Sequence, residues 1–350
     1  MNETGTTPLR RQTGETHRRS AGSRVVSRAL WYIREGGVEL RAATLAALKP
    51  DEARVRTLYS GISRGTERLI LAGAVPPAEY DTMRAPRQEG SFPFPVKYGY
   101  CAVGVVEAGP TELTGKQVFC LHPHQDVFHA PVGMLAPLPN GLPARRATLA
   151  ANMETALNAL WDSGAGPGDR IAIVGAGIVG LLTASLAAQI PGTDVTVVDV
   201  IEARRPLAEA LGARFAQPSD APADCDVVFH TSASSAGLNT AIGAAGLEAS
   251  VVEMSWYGAK PVEAALGGAF HSRRLRLISS QVGHVAASRR PRWNYRRRLE
   301  KALLLLQDAV YDRLVETEIA FASLPASLPG VLTGDGTTLP PIIAYGTAQT

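Results

Sequence analysis

The chain has 350 residues, more than one hydrophobic core usually fills, so we expect two domains. Apolar residues make up 45% and charged residues 19%, a balance that excludes the disordered and fibrous classes. The net charge of +3 equals the charge of the first 24 residues alone, which hold five arginines and two glutamates. The rest of the chain is therefore neutral, which argues against nucleic acid as the main partner.

The cysteines and the apolar runs indicate a cytoplasmic protein with no membrane partner. The three cysteines are scattered and form no CxxC pair, so a disulfide framework is not expected. No apolar run reaches the roughly 18 residues that cross a bilayer. Residues 1–24 are predicted to be a disordered tail, although their Arg, Ser and Thr content with few acids is also typical of a transit peptide.

The first part of the chain, from Ser27 to about Pro143, alternates short β-rich runs with glycine and proline. Examples are "ALWYIREGGVELRAA", "EARVRTLYSGIS" and "YCAVGVVEAG". Strands at this spacing predict a compact, partly barrel-like β domain. The proline-rich segment "SFPFPVKYGY" is predicted to be a loop, because proline removes donors from a strand ladder.

A change of pattern at Arg145 indicates the second domain. A helical stretch runs to Gly164, and then strand, glycine turn, helix, strand and helix follow. The later runs "DCDVVFHTS", "ASVVEMSWYG" and "LRLISSQVG" are continuous apolar strands, which are typical of a parallel sheet covered on both faces. The fold class is therefore α/β, with a doubly wound dinucleotide-binding (Rossmann) domain at 153–286 and a β-rich domain formed by 25–152 and 287–350.

The glycine turn after the first of these strands predicts a dinucleotide site. Gly175, Gly177 and Gly180 form the pattern G-x-G-x-x-G, with Ile178 and Val179 at the start of the following helix. The first glycine permits a tight turn, the second admits the pyrophosphate, and the third lets helix and strand pack closely. The helix N-terminus attracts the negative charge. A purely structural glycine turn is the alternative.

The acid after the next strand favours NAD(H) over NADP(H). Asp199 lies 19 residues beyond Gly180, where a carboxylate accepts hydrogen bonds from the adenosine ribose and repels a 2′-phosphate. In this interpretation Arg204, five residues further on, either lies beside the adenosine or weakens the discrimination against NADP(H).

Together these features resemble the medium-chain dehydrogenase/reductase superfamily, the zinc alcohol dehydrogenase fold, over residues 27–345. The resemblance implies that the β-rich domain is GroES-like and carries the catalysis. The segments "SGISRGTE", "FPFPVKYGY", "VFCLHPHQ" and "FHSRRLRLISSQVG" are similar to a zinc-lacking subgroup, which includes bacteriochlorophyllide-type hydroxyethyl dehydrogenases and relatives named alcohol or threonine dehydrogenases.

The residues aligned with the family's catalytic zinc ligands are not zinc ligands in this chain. Ser63 stands where the family has cysteine, and Tyr100 and Cys101 replace the family's His-Glu pair. Ala151 or Asn152 falls at the third ligand position. Zinc needs three good protein ligands, so we expect no metal. A new cluster of His122, His124 and His129 is the alternative, with packing or substrate contact as the simpler explanation of these histidines.

Without zinc, a protein group must stabilise the oxygen that changes charge during hydride transfer. The resemblance brings five candidates near that position: Ser63, Tyr100, Glu67, His124 and Glu154. Tyr100 suits a proton donor if a cation such as Lys97 or Arg64 lowers its pKa from about 10. In the alternative, Tyr100 fills the volume of the absent metal and Ser63 caps a turn.

The resemblance also implies further cofactor contacts. Thr155 aligns with a nicotinamide contact, and "FHTSAS" brings His230, Thr231 and Ser232 near the nicotinamide ribose. The segment "MSWYG" brings Ser255, Trp256 and Tyr257 beside the carboxamide, although its aromatic side chains also suit a core.

The sequence thus predicts a zinc-independent NAD(H)-dependent oxidoreductase that interconverts a secondary alcohol and a ketone, in a biosynthetic pathway and as a homodimer. Two alternatives stay open: a C=C or quinone reductase of the same superfamily, and a non-catalytic dinucleotide sensor. The basic loop "RRPRWNYRRR" at 289–298 suits a solvated helix entrance, an anion clamp or, least well, a nucleic-acid contact.

Overall fold

A computed structural model describes Met1 and residues 25–346. The predicted tail at 1–24 lies, apart from Met1, outside the described residues, as do the last four residues. The first half of the described chain is β-rich. Its elements are β1 (Val26–Arg34), β2 (Gly37–Thr44), β3 (Glu52–Gly61), α1 (Arg64–Leu71), β4 (Glu89–Gly90), β5 (Val96–Lys97), β6 (Ala102–Ala108), β7 (Gln117–Cys120), β8 (Val127–Pro131), β9 (Ala136–Pro137) and α2 (Ala144–Ala147).

Alternating strands and helices follow, and then a mixed C-terminal segment. The alternating elements are α3 (Ala150–Ser163), β10 (Arg170–Val174), α4 (Ile178–Ala188), β11 (Asp194–Val198), α5 (Arg205–Ala210), β12 (Arg214–Ala216), β13 (Cys225–His230), α6 (Ser235–Ala244), β14 (Ala245–Glu253) and β15 (Arg276–Ser279). The C-terminal elements are α7 (Tyr295–Leu305), β16 (Glu318–Ala320), α8 (Leu324–Thr333) and β17 (Ile342–Ala344).

The β-rich part forms two sheets, as its short strands predicted. One sheet has the order β2-β1-β5-β4, and the other is built around β3, which pairs with β6, β8 and β17. The pairing of β17 with β3 places Ile343 opposite Ser60, so the C-terminus returns to the first domain. Inward-facing side chains such as Leu30 and Tyr32 on β1 are fully buried and form the core between these elements.

The alternating part forms one parallel sheet of six strands in the order β12-β11-β10-β13-β14-β15. This order reverses at β10, and ligands of open α/β sheets bind at such a switch point, outside the carboxyl ends of the strands. The central strands are buried on both faces because helices cover them, which explains their continuous apolar sequences. The predicted α/β architecture is confirmed.

The helical stretch after Arg145 differs from its prediction as one helix. It forms α2 and α3, separated at Thr148 and Leu149, and α3 ends at Gly164 in the left-handed region (φ 74°), as the helix stop predicted. Helix α3 packs against both α4 and α7. The predicted boundary at 152/153 falls inside α3, and the domain limits stay predictions. Within residues 25–346, no helix is long and apolar enough to cross a membrane.

Candidate active site

The glycine turn between β10 and α4 has the geometry that its three glycines predicted. Gly175 has φ +114°, and a Cβ there would lie 2.5 Å from Thr231 Oγ1. A Cβ on Gly180 would overlap the carbonyl oxygen of Gly175, so only glycine permits this helix–strand approach. A Cβ on Gly177 would meet no atom within 4 Å. Open space therefore adjoins the N-terminus of α4, and these residues fit a dinucleotide pyrophosphate.

Asp199 follows β11 and is bonded to the same turn. Its carboxylate accepts the Ala176 N–H at 2.6 Å and the Ile201 N–H at 2.8 Å, and the side chain stays partly exposed. Arg204 is buried beside it and donates to the carbonyl of Gly336. Burial lowers the pKa of Arg204, and the Asp199 carboxylate opposes this shift. The acid at the carboxyl edge of β11 is therefore held next to the glycine turn.

Ser63 and Tyr100 lie together in a cluster of hydroxyl groups. The Tyr100 hydroxyl is hydrogen-bonded to Ser63 Oγ and lies 3.2 Å from Thr66 Oγ1. Ser63 stands at the N-cap of α1 but its side chain makes no capping hydrogen bond, so its hydroxyl is committed to Tyr100 and not to the helix. Sequence reasoning missed Thr66, although it belongs to the same "SRGTE" segment.

The environment of Tyr100 raises its pKa and does not lower it. Burial is the main cause, with the neighbouring Cys101 thiol second. The two cations considered from the sequence are engaged elsewhere. Lys97 pairs with Glu89, and Arg64 donates to the carbonyls of Gly334 and Thr338. The phenol therefore remains protonated at neutral pH and acts as a hydrogen-bond donor, not as a base.

Glu67 lies directly beneath this cluster and is fully buried. Its carboxylate accepts the Ser63 backbone N–H at 2.7 Å, the Tyr32 hydroxyl at 2.7 Å and His124 Nε2 at 3.2 Å. Burial alone would raise the pKa of Glu67, but the charge and hydrogen bond of His124 and the other donors outweigh it, so the pKa is lowered. Glu67 therefore fixes the backbone that carries Ser63.

His124 continues the buried chain away from the hydroxyl cluster. Its Nδ1 lies 2.7 Å from Ser60 Oγ, and this oxygen lies 3.0 Å from the Tyr345 hydroxyl. The ring is completely buried. Glu67 and His124 thus support Ser63 from behind, whereas Tyr100 and Ser63 are partly exposed. Sequence reasoning missed Tyr32, Ser60 and Tyr345, which no local motif marks.

Glu154 lies apart from the hydroxyl cluster. On α3 it forms a buried ion pair with Arg298 of α7, at 3.0 Å, and Arg298 also donates to Asn158 Oδ1 at 2.7 Å. Burial raises the pKa of Glu154, and Arg298 opposes this shift. The pair joins α3 to α7, so among the five predicted catalytic residues the structure brings together Ser63, Tyr100, Glu67 and His124, but not Glu154.

The residues at the family's zinc positions converge, yet they do not fit zinc. Besides Ser63 and Tyr100, the Cys101 sulfur lies 3.9 Å from Asn152 Oδ1. Burial raises the pKa of the Cys101 thiol well above its usual range, so it is not a thiolate. Of these side chains only Cys101 is a usual zinc ligand, whereas zinc needs at least three such ligands. Within residues 25–346, no group of three or more His, Cys, Asp and Glu is placed to hold a metal.

The alternative histidine cluster is dispersed. His122 stacks on the ring of Phe128, with centroids 3.7 Å apart, and its Nδ1 lies 3.0 Å from the carbonyl of Pro123. Burial lowers the pKa of His122. His124 points to Glu67, and His129 is paired in strand register with Arg54. Packing therefore explains these histidines better than a shared ion.

The remaining predicted cofactor residues lie mostly at one edge of the sheet. Thr231 Oγ1 donates to the carbonyl of Gly175 at 2.9 Å, and Ser255 Oγ accepts the Ala233 N–H at 3.1 Å. His230 is completely buried, so it has no surface for a cofactor. Thr155 lies on α3, where its hydroxyl donates to the carbonyl of Ala151 at 3.0 Å.

A narrow cleft connects the glycine turn to the first domain. Its walls include Ile62, Asn152 and Ile178. Ile62 is the neighbour of Ser63 in the chain, Asn152 contacts Cys101, and Ile178 begins α4. Trp256, after β14, packs against the core of the first domain. The cleft therefore joins the dinucleotide turn and the start of the hydroxyl-bearing segment.

Comparison with known proteins agrees with this architecture. No family model matches the chain. It is 36% identical over 88 residues to an uncharacterized zinc-type alcohol dehydrogenase-like protein of Haemophilus influenzae, covering 25% of each chain. The matched segments span only a quarter to a third of the length of the curated relatives.

Solved structures match almost the whole chain. A protein assigned as a zinc-binding dehydrogenase of Sinorhizobium meliloti, bound to NADP, superposes with TM-score 0.72 at 18% identity over 92% of this chain and 100% of its own. L-idonate 5-dehydrogenase of Escherichia coli gives TM-score 0.74 at 15% identity over 93% and 99%. The fold is that of the medium-chain dehydrogenases, a GroES-like domain joined to a Rossmann domain. The predicted resemblance to that superfamily is confirmed.

Proposed function

We propose that this protein is an NAD(H)-dependent oxidoreductase that interconverts a secondary alcohol and a ketone without a catalytic zinc. The observation that carries the proposal is that one cleft is lined both by Ile178, which begins α4, and by Ile62 and Asn152, which adjoin Ser63 and Cys101. Similarity to an alcohol dehydrogenase-like protein and to dehydrogenase structures with bound NADP or NADH supports it.

The glycine turn and its neighbours would hold the dinucleotide. Gly177 leaves room for the pyrophosphate, and the first amides of α4, at Ile178 and Val179, face it with the positive end of the helix. Asp199 would accept the ribose hydroxyls, which favours NAD(H). The nicotinamide supplies or accepts the hydride when it is bound.

The hydroxyl cluster would stabilise the substrate oxygen. Tyr100 donates a hydrogen bond to Ser63, so the two hydroxyls act as one donor system in which Ser63 donates a hydrogen bond to the substrate oxygen and Tyr100 supports it. Because the pKa of Tyr100 is raised, the pair stabilises a forming alkoxide by donation and is a weak general base. Ketone reduction is the direction that this chemistry favours.

The residues behind the cluster would act by positioning. Glu67 holds the Ser63 backbone N–H, and His124 holds Glu67, so both fix the place from which the Ser63 hydroxyl donates. Neither side chain reaches the cleft, since both are buried. We therefore assign Ser63 to contact with the substrate, and Tyr100, Glu67 and His124 to the positioning of the Ser63 hydroxyl.

Fluorescence titration with NADH and NADPH, followed by a panel of small ketones and secondary alcohols, tests this function. We expect NADH to bind more tightly than NADPH and ketones to be reduced. NADH binding with no turnover of any alcohol or ketone, but with reduction of enones or quinones, would favour the C=C reductase instead. Binding without any turnover would favour the sensor, and no binding of either dinucleotide would contradict all three.

A further inference from the structure

A buried acid–imidazole pair ends on an exposed hydroxyl at the cofactor edge of the sheet. His230, the last residue of β13, has its Nδ1 2.7 Å from Glu253 Oε2 and its Nε2 2.7 Å from Ser232 Oγ. The ring is 0% exposed, whereas Ser232 is exposed. Any influence of His230 on a ligand must therefore pass through Ser232.

Ser232 lies immediately beside the dinucleotide turn. A Cβ on Gly175 would lie 2.9 Å from the Ser232 backbone nitrogen. The preceding residue, Thr231, donates to the Gly175 carbonyl, so a hydrogen bond joins the loop after β13 to the glycine turn. The Ser232 hydroxyl is thus exposed at the edge where the parallel strands end and where doubly wound sheets bind their ligands.

The hydrogen bonds around Glu253 determine where the protons lie. Burial would raise the pKa of Glu253, but hydrogen bonds from His230 and Ser255 outweigh it, so the pKa is lowered and the group is ionised. This carboxylate also accepts the Tyr257 hydroxyl at 2.9 Å and the Ser255 N–H at 2.7 Å. An ionised acceptor requires a proton on Nδ1, so neutral His230 presents a lone pair at Nε2.

Ser232 must then donate its proton to Nε2, and its oxygen, which accepts from Ser234 Oγ at 3.0 Å, keeps one lone pair free. We propose that Glu253 and His230 are a positioning pair that turns the Ser232 hydroxyl into a hydrogen-bond acceptor for a sugar hydroxyl of the bound dinucleotide. The proposal rests on the proposed function, since it requires a dinucleotide at the glycine turn. Sequence comparison with the family points only to the neighbourhood of Ser232 and gives Glu253 no function.

Titration of the full chain with NADH at pH 8 tests the pair. We expect Ser232→Ala to weaken NADH binding by about three- to tenfold, the usual size of one hydrogen bond. Ser232→Thr restores the hydroxyl and should restore the affinity. Ser219→Ala, an exposed serine elsewhere on the same domain, should bind as the wild type does.

A double-mutant cycle distinguishes a positioning role of Glu253 from a general loss of stability. If Glu253 acts through Ser232, Glu253→Gln weakens NADH binding in the wild-type background but adds nothing to Ser232→Ala. Nitrogen-15 NMR of the histidine rings provides a readout that needs no cofactor, and we expect His230 to carry its proton on Nδ1 at pH 8.

Two results overturn this proposal alone: wild-type NADH binding that Ser232→Ala leaves unchanged, or a His230 proton on Nε2 at pH 8. A wild type that binds no NADH at any pH contradicts the proposed function itself, and this proposal with it.

Discussion

In the proposed function single hydroxyl groups carry the chemistry, because residues 25–346 bring no three His, Cys, Asp or Glu side chains together to hold a metal. We expect Ser63→Ala to lower kcat for ketone reduction by about 10²- to 10³-fold, the loss typical of one donor to a developing oxyanion, with little change in KM. Tyr100→Phe should have a smaller effect, since Tyr100 acts through Ser63. Steady-state kinetics at saturating NADH measures both variants.

The matched control for Tyr100→Phe is Tyr80→Phe, which removes a hydroxyl from a tyrosine in the same aromatic group but outside the cluster. It should leave kcat unchanged. Full activity of both Ser63→Ala and Tyr100→Phe would remove the proposed donors.

Glu67 controls stability and its dependence on pH. The lowered pKa of the folded state means that Glu67 stabilises the fold above its unfolded pKa of about 4.3, and that this stabilisation is lost as the pH falls through the folded pKa. Because Glu67→Gln replaces a buried carboxylate that is hydrogen-bonded to Ser63 N–H, Tyr32 and His124, we expect it to lower the free energy of unfolding by about 1.5–3 kcal/mol at pH 7. Urea unfolding at pH 7 and in acid measures this difference.

The difference between wild type and Glu67→Gln should shrink in acid, where the wild-type carboxylate is protonated. Glu112→Gln, at an exposed glutamate, is the control and should change stability by less than about 0.5 kcal/mol. A difference that stays constant with pH would show that Glu67 stabilises the fold by shape and not by charge.

At the scale of elements, substitutions of two glycines at the junction of β10 and α4 are expected to have different effects on stability and on NADH binding. Gly180→Ala forces a methyl group against the Gly175 carbonyl, so we expect a lower Tm and no NADH binding. Gly177→Ala meets no protein atom, so Tm should be unchanged while NADH affinity falls at least tenfold, since the methyl group occupies the pyrophosphate space.

Gly243→Ala on α6 controls for the substitution itself, because a Cβ there also meets nothing within 4 Å. It should leave both Tm and NADH affinity at least as high as in the wild type. Unchanged NADH affinity in Gly177→Ala would place the dinucleotide elsewhere.

The elements that the sequence predicted well are those with local signals. Continuous apolar runs identified the parallel strands, and the spacing of Gly175, Gly177 and Gly180 identified the turn, because strand burial and backbone sterics act over a few residues. The stop of α3 at Gly164 follows from the same kind of local constraint. The break between α2 and α3 was missed, since no glycine or proline marks it.

The buried hydrogen-bonded chain behind Ser63 was not predictable from the sequence, because the residues that form it are distant from one another in the chain. Ser60 meets Tyr345 across 285 positions, a contact that arises only when β17 pairs with β3 in a definite register. Glu154 stays a predicted site residue, and its buried pairing with Arg298 of α7 is likewise a contact between residues distant in the chain. Long-range pairing decided both cases.

At the scale of the whole molecule, β15 forms an open edge of the six-stranded sheet. Leu277 on this strand is 43% exposed, and an edge with apolar side chains is a surface for strand pairing. We predict that the protein is a homodimer through this edge, so Leu277→Lys should shift it toward monomer in light scattering. Leu304→Lys, at a similarly exposed leucine on α7, should leave the mass unchanged. A wild-type monomer would contradict this prediction.

Dehydrogenase chemistry without zinc is tested most directly by measuring ketone reduction with NADH before and after exhaustive chelation, with metal content determined on the same samples. We predict an unchanged rate in protein that holds no stoichiometric zinc. A rate that disappears on chelation and returns with added zinc would contradict it.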